Sequence, residues 1–211
     1  MAGHNKWTQI KRQKEVVDKK KSKIFSILAR ILTLEAKQAK GDRNALGLKK
    51  AIEKARLANV PNDNIERAIA RGLGGEGGEL ETVVYEAYGP GGTALLITGI
   101  TDNKNRTSQE IKHLLTEHGA SLAPQGSVTW AFTKTNEGLS NQPAGWQANN
   151  LLDLSEADQS KINLLHLALE NHEDIEHIYD NCRHWSRVRQ NGGGHNWGRK
   201  TFVFWLPNYF E

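Results

Sequence analysis

Apolar residues in the first 75 positions recur at helical spacing and predict three helices joined by short loops. The longest is predicted over residues 16–40, where Gly41 supplies a stop. A second helix is predicted over residues 45–60. The third begins at Pro61, because proline is tolerated in the first helical turn, and ends at Gly72. The pattern therefore predicts a small three-helix bundle.

After a glycine-rich linker at residues 72–79, the pattern changes to alternation with β-branched residues. Residues 82–101 predict a β-hairpin whose turn is the GPGG of residues 89–92. A phosphate-binding loop is the alternative for these glycines. Such loops precede a helix N-terminus, whereas a strand follows here, so the tight turn is favoured.

The rest of the pattern predicts two helices and two strands. The first helix follows residue 101, with capping-box spacing between Thr107 and Glu110, and a strand is predicted at 127–133. Residues 136–152 have no period and predict a loop. Ser155 with Asp158 begins the second helix, and residues 174–181 predict a short final strand.

The order of elements indicates an α+β protein: a helical bundle, then ββαβαβ as a two-layer sandwich of helices on an antiparallel sheet. We expect a basic helical domain at 1–75, an α+β domain at 76–181 and an atypical aromatic and basic tail at 182–211. The tail holds three of the six tryptophans. The pattern leaves open whether it adds a strand, binds a partner or is poorly ordered.

Charge separates the same regions more sharply than the net charge of +4 indicates. Residues 1–75 carry 18 Lys and Arg against 7 Asp and Glu, a balance of +11. Residues 76–181 carry 5 against 16, a balance of −11, and residues 182–211 return to +4. Such asymmetry indicates different partners for different parts of the chain.

No motif in the chain indicates catalysis, so we expect a protein without enzymatic activity and without a cofactor. GxSxG, HExxH and Walker A patterns are absent from the sequence. Cys182, His184 and His195 lack the fourth ligand and the spacing of a zinc site, and His166 sits among leucines as a packed or boundary residue. The acidic residues of 170–180 indicate a solvated face rather than a cation site.

The single cysteine fits a reducing cytosol, and we expect a cytoplasmic protein. Neither a secretory signal nor an apolar run long enough to span a bilayer is present in the sequence.

Basic residues cluster near the N-terminus, offset only by Glu15 and Asp18. The cluster comprises Lys6, Lys11, Arg12, Lys14, Lys19, Lys20, Lys21 and Lys23. Clustered Lys and Arg neutralise phosphates, so this pattern indicates nucleic-acid binding, with Trp7 as a stacking element beside it. An anionic membrane surface is the weaker alternative, because the predicted helix needs its apolar face for the bundle core.

Five blocks of the sequence resemble the YebC/PmpR family, which includes the mitochondrial translational activator of cytochrome c oxidase. The blocks are MAGHNKWTQIKRQK, KSKIFSILAR, ANVPNDNIERAIARG, YEAYGPGG and TDNKNRTSQEIKH. The resemblance is continuous over residues 1–134 and resumes at LSEADQSKINLLHLALENHEDIEHIYDN. The family's inserted ferredoxin-like third domain is largely missing, with only a shortened insertion at about 135–153, and the tail after Asn181 has no recognised counterpart.

The resemblance implies a cytoplasmic, non-enzymatic protein whose partner is DNA or ribosomal RNA, with neither a membrane nor a small-molecule substrate. Two functions stay open: a DNA-binding transcriptional regulator, or a ribosome-associated translation factor that relieves stalling by contacting ribosomal RNA. An interaction module that uses the acidic face and the tail is a third. Trp7 either contacts nucleotides or anchors the N-terminus on the bundle. The positions that the resemblance implies for nucleic-acid contact are His4, Lys6, Trp7, Lys11, Arg12, Lys14, Lys19, Lys20, Lys21, Lys23, Asn103, Lys104, Asn105 and Arg106.

Overall fold

Three helices build the first of two units in the computed structural model, which describes residues 3–74, 79–135, 145–183, 185–187 and 197–199. They are α1 (Gly3–Gln38), α2 (Leu46–Leu57) and α3 (Asn62–Gly72). The three predicted helices are therefore confirmed. The first unit spans Met1–Glu81 and the second Thr82–Glu211.

The first helix begins well before the predicted start at residue 16. Apolar periodicity was the signal for that start, and it marks only the part of α1 that packs against other helices. Between His4 and Gln38 the sequence contains neither proline nor glycine, so nothing interrupts the helix where its side chains face water. The result is one helix of 36 residues.

The core of the first unit lies between the C-terminal half of α1 and the two shorter helices. Its fully buried members include Leu32 and Ala36 of α1 and Leu48 of α2. The hydroxyl of Thr33 donates to the carbonyl of Ala68 on α3 over 3.0 Å. Gly72 permits close packing here, because a Cβ at this position would lie 2.3 Å from the carbonyl oxygen of Thr33.

A four-stranded sheet organises the second unit, in the order β3-β1-β2-β6. Its strands are β1 (Glu81–Tyr88), β2 (Ala94–Thr101), β3 (Ser121–Ala123) and β6 (Ile175–Asp180). The GPGG turn between β1 and β2 is confirmed, with Gly91 and Gly92 at φ +68° and +78°. A side chain is strained at these angles, so the turn favours glycine. The α+β fold class is confirmed.

Helices α4 (Lys104–Glu117) and α5 (Glu156–Glu170) cover one face of this sheet. A 3-10 turn (Thr129–Ala131) and the hairpin of β4 (Phe132–Thr135) with β5 (Gly145–Ala148) pack on the other. Neighbours on β2 divide between the two faces, because successive side chains of a strand point in opposite directions. Leu95 belongs to the first core, and Leu96 to the second.

Several local predictions for the second unit are wrong. The strand predicted at 127–133 is the 3-10 turn followed by β4, and β5 lies inside the predicted loop. The N-cap of α4 is Asn103, whose side-chain oxygen accepts from the Arg106 N–H over 3.1 Å, and Thr107 is buried inside the helix. Residues 136–144 lie outside the described residues.

Other predictions for this unit hold. Ser155 is the N-cap of α5 and accepts from the Asp158 N–H over 3.1 Å, as predicted. The strand predicted at the end of the α+β domain is β6, but it is not the last one. In the tail, β7 (Trp185–Arg187) pairs with β8 (Trp197–Arg199) in antiparallel register. The other tail residues after Arg183 lie outside the described residues.

A buried carboxylate on β1 fixes the loop between β3 and the 3-10 turn. Glu86 is only 3% exposed. It accepts from the backbone N–H groups of Gly126, Val128 and Thr129 and from the Thr129 hydroxyl, over 2.5–3.0 Å. Burial raises the pKa of Glu86, but these donors together outweigh burial and hold the pKa below its usual value.

Glu86→Gln is expected to lower the free energy of unfolding of the second unit by about 2–3 kcal/mol at pH 7, because an amide cannot accept all four bonds. The folded pKa lies below the unfolded one, so the stabilisation is complete above about pH 4.5 and is lost as pH falls through the folded pKa. Urea denaturation from pH 7 to pH 3 measures this. The exposed Glu117→Gln is the control, and a difference that persists unchanged at pH 3 contradicts the account.

Candidate nucleic-acid interface

The N-terminal half of α1 extends beyond the core of its own unit. We call residues 3–23 of α1 the basic arm; at helical rise its length is about 30 Å. Among the α1 side chains that the structure describes, the first that packs against the core is Ile24. Between Lys11 and Ser22, every side chain that the structure describes is exposed. The arm is therefore a helix held at one end by the bundle.

One line of positions along α1 changes from leucine in the bundle to lysine in the arm. Lys14 and Lys21 precede Leu28 at seven-residue steps, so the three positions fall on nearly one line along the helix. Leu28 is buried, whereas both lysines are exposed. Lysine is almost never fully buried without a partner. These two positions of the arm are consequently unsuited to packing against the protein's own core.

The charge of the arm is distributed around the helix. Lys20 and Lys21 are neighbours in sequence, so they lie about 100° apart around the axis. Lys11, Lys14, Lys20 and Lys21 are all exposed, and Lys23 is half-buried. Across the described part of the chain, no ion pair engages Lys14, Lys20 or Lys21. Four predicted site residues, His4, Lys6, Arg12 and Lys19, lie on the arm, but their side chains are outside the described part.

The helical start at Gly3 places Trp7 on the arm, with its side chain also outside the described part. Trp7 precedes Ile24 by 17 helical residues, about 25 Å along the axis. Nothing in the described structure tests either hypothesis, so nucleotide contact and an anchor on the bundle both stay predictions for Trp7.

Elsewhere in the first unit, two basic side chains are engaged with carboxylates. Arg43 forms a two-bond ion pair with Glu66, and Lys37 pairs with Glu79. The arm itself carries eight Lys and Arg against two Asp and Glu in its sequence, a balance of +6.

The second predicted contact region, Asn103 to Arg106, is largely committed to holding α4 in place. Asn103 caps the helix through its side chain. The Arg106 guanidinium lies 2.9 Å from carboxylate oxygens of both Asp102 and Asp174. Lys104 and Asn105 are exposed in the first turn of α4. Of the predicted set, Asn103 and Arg106 therefore hold α4 in place.

Asp174 is a residue whose importance sequence reasoning missed. Its side chain is 3% exposed, and the hydroxyl of Thr107 donates to it over 2.7 Å. In the sequence it was one acid among several in 170–180. It lies 68 positions after Arg106, so no local spacing links the two residues.

Three side chains near Asp174 and Arg106 have oxygen or nitrogen atoms within 4.8 Å of one another, close enough to share a metal ion: Glu110, His172 and Asp174 itself. Their atoms already have partners. His172 Nε2 lies 3.0 Å from Glu110 Oε2, and His172 Nδ1 accepts from the Asp174 N–H. The Arg106 cation also contacts Asp174. The arrangement fits a hydrogen-bond network that joins α4 to the turn before β6.

The other histidines and the cysteine considered in the sequence analysis are His166, Cys182, His184 and His195. His166 is buried and lies 2.9 Å from the buried Asp180 carboxylate. Cys182 is buried beside the Thr93 hydroxyl, and burial raises the pKa of its thiol. His184 and His195 lie outside the described residues. No described helix is long and apolar enough to cross a membrane.

Two family models match the sequence. The model described as TACO1/YebC protein N-terminal domain matches residues 5–75, and that described as TACO1/YebC second and third domain matches residues 80–139. A conserved hypothetical protein from Aquifex aeolicus has a similar crystal structure, with TM-score 0.71 and 27% identity, covering 76% of this chain and 89% of that one.

The similar curated proteins are named as probable transcriptional regulatory proteins. That of Thermoanaerobacter pseudethanolicus is 52% identical over 136 residues, 64% of this chain and 55% of the relative. That of Pseudothermotoga lettingae is 50% identical over 151 residues, 71% and 59% respectively. The chain thus spans little more than half the length of these two relatives.

The protein of Synechococcus sp. is 40% identical over 210 residues, covering 96% of this chain and 84% of the relative. Only about 4% of the chain lies outside this alignment. Because residues 182–211 are a larger share of the chain than that, the alignment includes part of the tail. The expectation that the tail has no family counterpart is therefore wrong.

Arg106→Ala is expected to lower the Tm, because it removes the cation next to the buried carboxylate of Asp174. Thermal unfolding by circular dichroism measures the change, with the exposed Lys112→Ala on the same helix as the control. An unchanged Tm together with weaker nucleic-acid binding would instead make Arg106 a contact residue.

Proposed function

The chain belongs to the TACO1/YebC family, and we propose that it is a regulator of gene expression that binds nucleic acid through its basic arm. The observation that carries the proposal is the arm itself: a helix whose described side chains between Lys11 and Ser22 are all exposed. The names of its relatives as transcriptional regulatory proteins support the regulatory role. The division into a basic domain at 1–75, an α+β domain at 76–181 and a tail is part of this proposal.

The physical basis is phosphate neutralisation. Lysines that bind phosphates release condensed counterions, and this release drives binding without reading sequence. The arm can approach a polyanion closely, because its described lysines Lys11, Lys14, Lys20 and Lys21 are exposed. The acidic second region, with a balance of −11 over residues 76–181, repels phosphates and so favours engagement through the arm.

Duplex DNA is the target that we propose first, in a cytoplasmic protein without enzymatic activity. A single helix fits the major groove, where phosphates line both sides. Lysines on different sides of the arm, such as Lys14 and Lys20, can contact the phosphates on both sides of the groove.

Ribosomal RNA is the second candidate, and the same distribution of charge favours it. Folded RNA can surround a helix with phosphates on several sides, so positive charge around the whole circumference is useful there as well. A translation factor of this kind would co-sediment with ribosomes.

Lys14→Glu together with Lys21→Glu is expected to weaken binding to duplex DNA or ribosomal RNA and to reduce the salt slope of log K by about 2, roughly one unit for each phosphate that is no longer neutralised. Fluorescence anisotropy across a salt series measures both. Unfolding should be unchanged, since both side chains lie outside the core. Lys49→Glu with Lys54→Glu on α2 makes the same change in net charge away from the arm. Equal reductions in affinity for both double variants would contradict a role specific to the arm.

Co-sedimentation is expected to separate the two targets. A DNA-binding regulator should stay out of the ribosomal fraction at physiological salt and shift duplex DNA in a gel. A translation factor should sediment with ribosomes, and the Lys14→Glu, Lys21→Glu variant should not. A protein that does neither would refute both candidates.

A further inference from the structure

Trp130 in the second unit faces outward although its neighbours in sequence are buried. Val128, Ala131 and Phe132 are 0%, 3% and 5% exposed, whereas Trp130 is 69% exposed. The 3-10 turn Thr129–Ala131 thus places the largest side chain of this segment in solvent. A single exposed apolar side chain is common on protein surfaces, so what distinguishes Trp130 is the rigid turn and the second aromatic side chain beside it.

The turn that carries Trp130 is held rigidly. Glu86 accepts four hydrogen bonds from residues 126–129, and Gly126 adopts φ +87°, which favours glycine. The Asn149 amide donates to the carbonyl oxygen of Trp130 over 3.0 Å. The backbone on both sides of the indole is therefore fixed, and little conformational entropy remains to be lost on binding.

A second aromatic side chain, Tyr88, donates a hydrogen bond to the same carbonyl oxygen as Trp130. Trp130 Nε1 and Tyr88 Oη each donate to the carbonyl oxygen of Ser127 over 2.7 Å. Tyr88, at the end of β1, is 39% exposed. We call Tyr88 and Trp130 the aromatic platform. The shared acceptor fixes the polar edge of each ring, so both rings are preorganised and partly accessible.

The segment around the platform lacks the negative charge of the rest of the unit. Residues 118–135 contain neither Asp nor Glu, and Lys134 carries a positive charge. The carboxylate of Glu86 is enclosed by its four donors. Exposed side chains nearby in the chain or in the paired hairpin are hydroxyls and amides, such as Gln125, Thr133 and Asn149. A phosphate-bearing ligand is therefore less repelled here than at the acidic helices.

We propose that the aromatic platform stacks an unpaired base of a single-stranded nucleic acid. The inference rests on the proposed function and adds a second contact that reads bases rather than phosphates. Aromatic faces stack any base, so two ordered and accessible rings suit an unpaired base. A protein partner is less favoured: Trp and Tyr are common in protein-binding hot spots, but those hot spots lie in desolvated pockets, whereas the exposed side chains beside the platform are polar.

Photocrosslinking gives a direct test with the full chain. The probe is a 12-nucleotide single-stranded RNA carrying 5-iodouracil, and mass spectrometry locates the crosslink. We expect it at Trp130, within the tryptic peptide of residues 113–134. Crosslinks at neither Trp130 nor Tyr88 would overturn the proposal.

Affinity measurements complete the test. Trp130→Ala is expected to weaken binding of the RNA about tenfold with an unchanged salt slope, and to leave binding of an abasic strand of equal length unchanged. Trp130→Phe, which keeps a ring but loses the bond to Ser127, should retain most of the affinity. Retained affinity in Trp130→Phe would show that the aromatic ring makes the contact, and that the loss in Trp130→Ala does not come from a disturbed turn. The matched control is Leu164→Ala, which shortens another exposed apolar residue of the unit, 58% exposed on α5.

The two proposals can fail separately. If Trp130→Ala binds the RNA as the wild type does while Lys14→Glu with Lys21→Glu does not, the platform proposal is overturned and the function of the arm stands. If the wild type binds duplex DNA or ribosomes but not the single-stranded RNA, the platform proposal alone is overturned. If it binds none of these, both proposals fail. A Trp130→Ala variant that binds RNA normally but loses a protein partner would assign the platform to protein binding and overturn the proposal.

Discussion

Packing of the C-terminal half of α1 against α2 and α3 is the interaction on which the first unit depends. Leu32 and Ala36 are completely or almost completely buried there. Each fully buried leucine contributes about 1.5–3 kcal/mol, so a few such side chains hold this half of the helix firmly. Because backbone hydrogen bonds continue from turn to turn, the held half also supports the exposed half. The arm can thus carry many like charges without a core of its own.

Two buried carboxylates have the equivalent task in the second unit. Glu86 fixes the loop before the 3-10 turn, and Asp174 joins the first turn of α4 to the segment before β6. Each carboxylate is satisfied by several donors, which is the condition under which burying a charge is tolerated. Both are acids in a region rich in acids, yet they act as internal connectors rather than as surface charge.

The proposed interactions rely on different physics in the two units. The arm offers lysines to phosphates, and this attraction weakens with salt. The aromatic platform offers ring faces to bases, and stacking depends little on salt. A regulator with both kinds of contact could distinguish single-stranded from duplex nucleic acid without any base-specific side chain.

Much of the fold follows from local sequence pattern. The spacing of apolar residues located α2 and α3, the GPGG turn identified the hairpin, and Ser155 marked the start of α5, because each signal lies within a few residues of the structure it specifies. The charge imbalance of the N-terminal region and its lysine cluster are likewise properties of the sequence alone. Those observations sufficed to propose nucleic-acid binding.

Tertiary structure decided what depends on residues far apart in the chain. Alternation on β1 could not show that Glu86 is buried, because its four donors come from residues 126–129. Nor could spacing show that Arg106 pairs with Asp174 rather than facing a ligand, or that Trp130 is exposed between buried neighbours. The length of α1 beyond its apolar half also escaped the pattern, since a helix in water needs no periodic apolar face. Local periodicity therefore determined the elements and the charge, whereas packing between distant segments determined which side chains remain available for binding.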